Sequence, residues 1–378
     1  MIYFDNAATT YFKPQEVLDA YLTGATKYSV NPNRSFNNLT ARLSELILNT
    51  RKKAALKVNC KNPLNVVFGL NCTDALNLAI LGSVKKRGEH VVTSVLEHNS
   101  VLRPLCRLKQ RGFIDLTILT PDKNMLVSAE ILSKAITPKT TCVVLSHVSN
   151  VTGATQNLKE IGEVCKNNDI KFIVDAAQSM GYLPIDMADA NINMVAFPAH
   201  KGLHSTVGCG VLCFDDNSKP APIRYGGTGT QSHLLSQPTD SPEAYESGTL
   251  NSPAILALNA AFDWHEANKT KFLNQTKLVQ NTIAEGLADI KNVKIYSVQN
   301  QSGIITFNIG ESDSNAICDV LAQNYGIYLR GGLHCAPLCH KYLGTTNTGL
   351  VRVSVSGNNT LSQAYIFLNA VQQIAKKM

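Results

Sequence analysis

The stretch Phe172-Ile173-Val174-Asp175-Ala176-Ala177-Gln178 decides the fold of this chain. It has the pattern of a buried strand that ends in a carboxylate. The next apolar run, residues 191–197, leads into Ala199-His200-Lys201-Gly202, so a histidine and a lysine follow it. Side chains at the carboxyl ends of strands in an open α/β sheet converge on one crevice. The two stretches predict a carboxylate and an amine in one crevice, although a strand-end salt bridge would leave the same pattern.

Strand-like and helix-like segments alternate on both sides of this stretch, which is typical of βαβ units around a mainly parallel sheet. The predicted strands lie at residues 66–68, 91–95, 114–119, 142–146, 171–174, 194–197 and 208–214. Predicted helices over residues 73–84, 101–110, 129–135 and 158–165 separate most of them. The pattern predicts an α/β fold with a seven-stranded, mainly parallel sheet in a large domain.

A long helical pattern over residues 253–289 connects this part to a C-terminal unit of mixed composition. Its predicted strands lie near 293–296, 303–308, 327–329 and 351–354, and its helices near 314–324 and 361–377. We expect a large domain over residues 16–289 and a smaller α+β domain over residues 290–378. An N-terminal arm, residues 1–15, is expected to pack with the smaller domain.

The bulk composition is that of an ordinary globular protein, with 378 residues, 44% hydrophobic and 17% charged. The net charge of +7 comes from scattered basic residues without interleaved aromatics, so we expect no nucleic-acid partner. No apolar stretch is long enough to cross a bilayer, and no signal sequence is visible, so we expect no membrane partner and a cytoplasmic location. In that reducing compartment the ten cysteines are expected to be thiols.

Five polar residues fall at the ends of predicted strands: Thr73, His98, Asn150, Asp175 and Lys201. Each has an ordinary explanation, such as a helix cap for Thr73. Together they favour a single crevice, because capping residues would not be expected to share one edge of a sheet. An amine that forms a Schiff base and an acid that keeps a pyridine nitrogen protonated are what pyridoxal 5'-phosphate (PLP) requires.

The ordered motifs of the chain resemble those of the class V aminotransferase superfamily. The matching segments are Asp5-Asn6-Ala7-Ala8-Thr9-Thr10, Thr73-Asp74, Glu97-His98-Asn99, Ser149-Asn150-Val151-Thr152-Gly153, Asp175-Ala176-Ala177-Gln178 and His200-Lys201. Arg330-Gly331-Gly332-Leu333-His334-Cys335-Ala336 narrows the resemblance to cysteine desulfurases of the group II, sulfur-mobilisation type. It covers essentially the whole chain and implies a PLP-dependent transferase of fold type I that forms a homodimer.

The resemblance implies roles in binding the cofactor. Lys201 is expected to form the Schiff base, with Asp175 on the pyridinium nitrogen and Gln178 on the phenolic oxygen of the ring. His98 would stack on the ring as a catalytic residue, and Asn150 would contact the ring or the substrate. Thr73 and His200 would bind the phosphate, together with Thr249 of a neighbouring subunit, and Cys72 is also expected among the cofactor-binding residues.

The resemblance also implies the substrate-binding residues and the reaction. Arg352 would bind the substrate carboxylate, with support from Arg330. Cys335 would take the sulfur of L-cysteine as a persulfide and leave L-alanine, since a thiolate near cationic groups is a reactive nucleophile. The acceptor of this sulfur stays open, with an iron–sulfur cluster assembly scaffold, a tRNA-thiolation protein and free thiols as candidates.

Three alternatives remain open in the sequence. A selenocysteine lyase or another class V aminotransferase or lyase would share the PLP residues, and a catalytically silent scaffold would lack the chemistry. A zinc site at His334-Cys335-Ala336-Pro337-Leu338-Cys339-His340 lacks a second cysteine pair of similar spacing, so we expect no metal.

Two departures from relatives stand out: Phe197-Pro198-Ala199 replaces a hydroxylic residue before the lysine, and residues 33–37 contain no histidine.

Overall fold

The structure is a computed structural model that describes residues 1–32 and 37–377. The sequence departure at residues 33–37 lies outside the described residues except for its last position. The strands are β1 (Ile2–Tyr3), β2 (Val66–Gly69), β3 (Glu89–Ser94), β4 (Ile114–Leu119), β5 (Thr140–Ser146), β6 (Lys171–Asp175), β7 (Met194–Pro198), β8 (Gly210–Phe214), β9 (Val293–Ile295), β10 (Ile304–Ile309), β11 (Ile327–Tyr328) and β12 (Val351–Ser354). The helices are α1 (Gln15–Thr26), α2 (Asn38–Val58), α3 (Cys72–Ser83), α4 (Asn99–Gln110), α5 (Ala129–Ala135), α6 (Leu158–Asn167), α7 (Ser252–Ala288), α8 (Ser314–Tyr325), α9 (Pro337–Leu343) and α10 (Leu361–Ala375).

A seven-stranded sheet forms the centre of the molecule, in the order β2-β8-β7-β6-β5-β3-β4. Only β8 runs antiparallel to its two neighbours, so β2 points the same way as β7 and the other strands. The predicted α/β fold with a mainly parallel sheet is thereby confirmed. Because six strands share one direction, the carboxyl ends of β2, β3, β5, β6 and β7 meet at one edge of the sheet.

Helix boundaries differ from the sequence prediction where side chains cap the helix. The helix predicted from residue 101 begins at Asn99, because the His98 side chain accepts a hydrogen bond from the Ser100 backbone amide at 3.0 Å. Helix α2 was not predicted at all. It begins with a capping box of Asn37 and Thr40, and its buried face repeats every three or four residues, a signal that the sequence contained.

A second, antiparallel sheet in the order β12-β10-β9 lies in the C-terminal part. The chain's first strand, β1, pairs with β11, and Phe4 packs edge-on against Phe367 at 5.7 Å between ring centroids. This contact joins the N-terminal arm to the C-terminal core. The division at residues 15 and 289 stays a prediction. No helix of the described residues is long and apolar enough to span a membrane.

Candidate active site

A crevice opens at the edge where the parallel strands end. It is lined by residues at or after the ends of five strands, β2, β3, β5, β6 and β7: Asn71, Cys72, Thr73, Leu76, His98, Ser100, Ser146, Val148, Asn150, Asp175, Ala177, Gln178, Pro198, His200 and Lys201. The five residues that the sequence placed at strand ends all line it. Residues between positions 71 and 201 therefore meet in one crevice, because the strands that precede them run in the same direction and end at the same edge of the sheet.

The centre of the crevice holds Asp175 and Lys201. Asp175 is the last residue of β6 and is buried, and its Oδ1 accepts a hydrogen bond from the Ala177 backbone amide at 2.9 Å. The Cys72 thiol lies 3.9 Å from the same oxygen. Burial raises the pKa of Asp175 and lowers the pKa of Lys201. Both shifts favour the neutral forms, so Lys201 is suited to act as an unprotonated amine, and a cation placed beside Asp175 would favour its carboxylate form.

One end of the crevice is built to receive an anion. Helix α3 begins at Cys72, and its cap, Asn71, accepts a hydrogen bond only from the third backbone amide, that of Asp74, at 3.0 Å. The first amides of the helix are thus directed at the crevice, an arrangement that favours anions. The Thr73 hydroxyl lies 2.7 Å from that of Ser100. Gly210 allows this approach, since a Cβ there would lie 2.1 Å from the Asn71 carbonyl carbon.

His200 and His98 are neutral imidazoles at this end. Burial lowers the pKa of each to about 4, with the nearby Lys201 as a second cause. Nδ1 of His200 is buried and has no hydrogen-bond partner among residues 1–32 and 37–377, so a ligand atom could bind there. The ring of His98 is fixed by Ser100, whose hydroxyl lies 2.9 Å from Nδ1. A neutral, immobilised imidazole is suited to stacking on an aromatic ring.

Beneath His98 lies a buried carboxyl group that the sequence analysis left without a role. Glu97 is 1% exposed and accepts hydrogen bonds from the Ser94 hydroxyl and from the backbone and side chain of Ser146, at 2.5 to 2.7 Å. Burial raises the pKa of Glu97 to about 7. The group joins the ends of β3 and β5 and so fixes the edge of the crevice.

Two arginines stand at the other end. Arg352 is buried; its Nη2 donates to Asp5 Oδ1 at 2.8 Å and its Nη1 to the Asn150 carbonyl at 3.2 Å. Its Nε has no hydrogen-bond partner among the residues that the structure describes. Arg330 pairs with Arg352 across an isolated β-bridge. Because one carboxylate faces two guanidinium groups here, a substrate carboxylate would find uncompensated positive charge.

Cys335 is held against this end of the crevice by contacts from both parts of the chain. Its thiol lies 3.4 Å from Nη2 of Arg330, and its carbonyl accepts a hydrogen bond from the Asn99 amide at 2.7 Å. Nδ2 of Asn150 donates to the preceding carbonyl, that of His334, at 2.7 Å. The loop is therefore a fixed part of the site, with His334 and Cys335 both in the left-handed region at φ 49° and 58°.

The remaining predicted residues occupy different positions. Gln178 lines the crevice, and its Nε2 donates to the Ala7 carbonyl at 3.1 Å. Thr249 does not line the crevice of its own chain; it is exposed on the loop before α7. Cys339 is buried, and burial raises the pKa of its thiol to about 12, which disfavours the thiolate. Within residues 1–32 and 37–377, no three potential ligands converge on a metal position.

The sequence analysis missed Ser100, Glu97 and Asp5 as functional residues. Ser100 and Glu97 flank His98, so the motif that supplied His98 contained them. Asp5 pairs with a residue 347 positions away, a contact that no local pattern could indicate.

The set of side chains fits a phosphorylated pyridine aldehyde. Helix amides and hydroxyls suit the phosphate, a carboxylate suits the ring nitrogen, and a buried amine of lowered pKa suits the aldehyde. The free Nδ1 of His200 adds a position that the protein itself leaves unfilled.

Comparison with known proteins gives the same result. The model of the class-V aminotransferase family matches residues 2–367. A probable cysteine desulfurase of Methanothermobacter thermautotrophicus is 30% identical over 385 residues, which cover 99% of this chain and 94% of that protein. A cysteine desulfurase of Escherichia coli O157:H7 is 27% identical over 385 residues, covering 99% and 93%.

Solved structures agree with the sequence relatives. The apo structure of a cysteine desulfurase from Thermococcus onnurineus NA1 superposes with a TM-score of 0.92 at 29% identity, over 100% of this chain and 95% of that one. The cysteine desulfurase CsdA of Escherichia coli superposes with a TM-score of 0.89 at 26% identity, over 100% and 95%. The chain therefore belongs to the class-V aminotransferase family and, within that family, to the cysteine desulfurases.

Proposed function

We propose that the chain is a PLP-dependent enzyme that converts L-cysteine to L-alanine and takes the sulfur on Cys335 as a persulfide. One observation carries the proposal: the Cys335 thiol is fixed 3.4 Å from Arg330, on a loop that Asn150 of the crevice holds in place. A nucleophilic thiol is thus positioned at the substrate end of a site suited to PLP. Selenocysteine lyase chemistry can proceed without an attacking thiol, so a thiol at this position favours the desulfurase.

Different residues of the crevice would bind the cofactor, transfer the proton and bind the substrate. PLP, when bound, withdraws electrons from the α-carbon of the amino acid. Lys201 would hold the aldehyde and, once released by substrate, take the α-proton on Nζ. Asp175 would keep the ring nitrogen protonated, and His98 would hold the ring plane. Arg352, whose Nε lacks a partner, would bind the substrate carboxylate.

Sulfur transfer requires a thiolate that attacks the substrate sulfur, and it requires that the electron pair of the bond between Cβ and that sulfur be released. The Cys335 thiolate attacks the sulfur of the substrate, a sulfur–sulfur bond forms, and the bond from Cβ to sulfur breaks. The electron pair of that bond stays with Cβ, which is protonated to leave alanine. Arg330, whose Nη2 lies 3.4 Å from the Cys335 thiol, would orient the attacking sulfur.

The experiment is a comparison of Cys335→Ala, Lys201→Ala and Cys106→Ala, each incubated with PLP and L-cysteine. Cys335→Ala should keep the absorbance of bound PLP and release no sulfide, while Lys201→Ala should lose the absorbance of the lysine-bound cofactor. Cys106→Ala is the matched control, because Cys106 is a half-buried thiol on α4 that does not line the crevice. Wild-type protein that stays colourless with PLP, or unchanged turnover in Cys335→Ala, would overturn the proposal.

We also propose that the enzyme works as a homodimer in the cytoplasm. Thr249 is exposed and lies outside the crevice of its own chain, which supports a role at the phosphate of a second subunit. Light scattering should give the mass of a dimer, and Thr249→Ala should weaken PLP binding without changing that mass. A monomer with full PLP affinity would contradict this part. A reducing compartment is supported by the need to keep the Cys335 thiol reduced.

A further inference from the structure

Helices α4 and α9 both begin close to Cys335, and neither contains an acidic residue. Helix α4 begins at Asn99, whose amide binds the Cys335 carbonyl, and helix α9 begins two residues after Cys335. The sequence of α4 is NSVLRPLCRLKQ and that of α9 is PLCHKYL. Their lysine and arginine residues are all exposed, namely Arg103, Arg107, Lys109 and Lys341. We call this group the basic surface.

The basic surface lies close to the reactive sulfur. Arg103 is four residues beyond Asn99 and Arg107 is eight beyond it, so they stand about 6 and 12 Å along α4 from the Cys335 contact, at 1.5 Å per residue. A protein interface of ordinary size, about 800 Å² on each side, extends over distances of that order. A protein that reaches the Cys335 sulfur and covers the first turns of α4 would therefore meet Arg103 and Arg107.

The charges of this surface have no carboxylate partner in the part of the chain that the structure describes. None of its four members has a carboxylate within 4 Å among the described residues, whereas Lys53, Lys159 and Lys269 elsewhere on the surface each have one. Beside them Tyr342 is 41% exposed, a large side chain of the kind that anchors interfaces. The surface is thus available to an external partner of opposite charge.

We propose that the basic surface docks the sulfur acceptor, a protein whose accepting thiol is surrounded by acidic residues. The proposal rests on the proposed function, because it needs a persulfide at Cys335. The acceptor's thiolate attacks the outer sulfur of that persulfide; a new sulfur–sulfur bond forms on the acceptor, and the Cys335 thiolate leaves. A nucleic acid would also suit the charge, but it offers no thiol to accept the sulfur.

The experiment uses three synthetic peptides of equal length, each with one cysteine and with four Glu, four Gln or four Lys around it. The enzyme with bound PLP is given L-cysteine, and persulfide on each peptide is followed by mass spectrometry after alkylation. We expect the acidic peptide to react at least about tenfold faster than the basic one at low salt, since such steering raises association rates by 10- to 1000-fold. The difference should shrink as salt is added.

Variants assign the preference to the basic surface. Arg103→Glu/Arg107→Glu should reverse the order of the acidic and basic peptides, and Arg103→Gln/Arg107→Gln should reduce the difference. Lys85→Glu/Lys86→Glu changes the net charge equally at the opposite edge of the sheet, before β3, and should leave the order unchanged. Alanine formation with dithiothreitol, a small uncharged acceptor, reports whether each variant is folded.

The outcomes separate this inference from the proposed function. If L-cysteine produces no persulfide on Cys335 in the wild type, the proposed function fails. If Cys335 is loaded but the three peptides react equally fast, the docking inference is wrong. It is also wrong if the preference for the acidic peptide survives Arg103→Glu/Arg107→Glu, or if an oligonucleotide blocks transfer to the neutral peptide as strongly as to the acidic one.

Discussion

A buried ion pair fixes the loop that leads to Thr249, and its removal gives the sharpest prediction. Nη1 and Nη2 of Arg51, on α2, donate to the two carboxylate oxygens of Glu246 at 2.7 and 2.5 Å. Both side chains are 5% exposed. Glu246 also accepts the Phe68 amide at 2.7 Å, Arg51 donates to the Val66 carbonyl, and its guanidinium lies over the Phe68 ring.

The perturbation is Arg51→Met, which keeps the volume and removes the charge. It leaves the Glu246 carboxylate buried with a single donor, and breaking a buried pair in this way costs about 3–5 kcal/mol. The double variant Arg51→Met/Glu246→Gln has no buried charge and still offers an oxygen to the Phe68 amide. We expect it to regain at least half of that loss.

The assay is urea unfolding followed by circular dichroism and by the fluorescence of Trp264, the single tryptophan. Coincident curves from the two signals allow the free energies to be compared. PLP titrations of the same variants test whether the loop must be fixed for cofactor binding. The reasoning is refuted if Arg51→Met costs less than about 1 kcal/mol, the value of an exposed pair, or if the double variant is no more stable than the single one.

Three further predictions follow from the crevice. Because burial raises the pKa of Glu97 from 4.5 to about 7, stability is lost as pH rises through that window, and Glu97→Gln should remove a loss of about 2.5 kcal/mol between pH 5 and 7.5 in urea unfolding. Gly210→Ala should lower PLP affinity at least about tenfold in absorbance titrations, since its Cβ would displace the start of α3. Asn150→Ala leaves the His334 carbonyl unpaired, a cost of about 1–3 kcal/mol, and should slow Cys335 persulfide formation by roughly 10- to 100-fold in single-turnover mass spectrometry.

Matched controls give each of these results its meaning. The buried histidines titrate in both the wild type and Glu97→Gln. The contribution of Glu97 is therefore the difference between the two proteins in the change of unfolding free energy from pH 5 to pH 7.5. Gly226→Ala places a Cβ 3.5 Å from Ser247, an ordinary contact, and should bind PLP normally. Equal PLP affinity in Gly210→Ala would contradict the cradle at α3. Unchanged persulfide formation in Asn150→Ala would show that the other contacts suffice to hold the loop.

Local patterns in the sequence were enough to predict the central sheet. Strands β5, β6 and β7 are continuous apolar runs, as expected for parallel strands covered on both faces, and their order along the chain follows the βαβ rule. Since the strands share a direction, the convergence of Asp175 and Lys201 followed from the fold. Their roles toward PLP stay predictions.

Contacts between distant parts of the chain could not be predicted in this way. The Asp5–Arg352 and Thr73–Ser100 contacts depend on how connections pack at the edge of the sheet, which periodicity does not encode. The antiparallel direction of β8 was missed for a similar reason, because a short apolar run looks the same in either direction. The fixed position of Cys335 likewise depends on a backbone amide, that of Asn99, whose side chain has no part in the bond.

The long helix α7 contributes to both hydrophobic cores of the molecule and so couples the unfolding of one to that of the other. Its first turns, with Ala254 and Phe262, belong to the core under the seven-stranded sheet, and its last turns, with Val279 and Leu287, belong to the core of the C-terminal sheet. One rigid rod of 37 residues, about 55 Å long, therefore has an end embedded in each core. Unfolding of either core would expose the apolar face of half of α7 to water. We therefore expect unfolding of one part to destabilise the other.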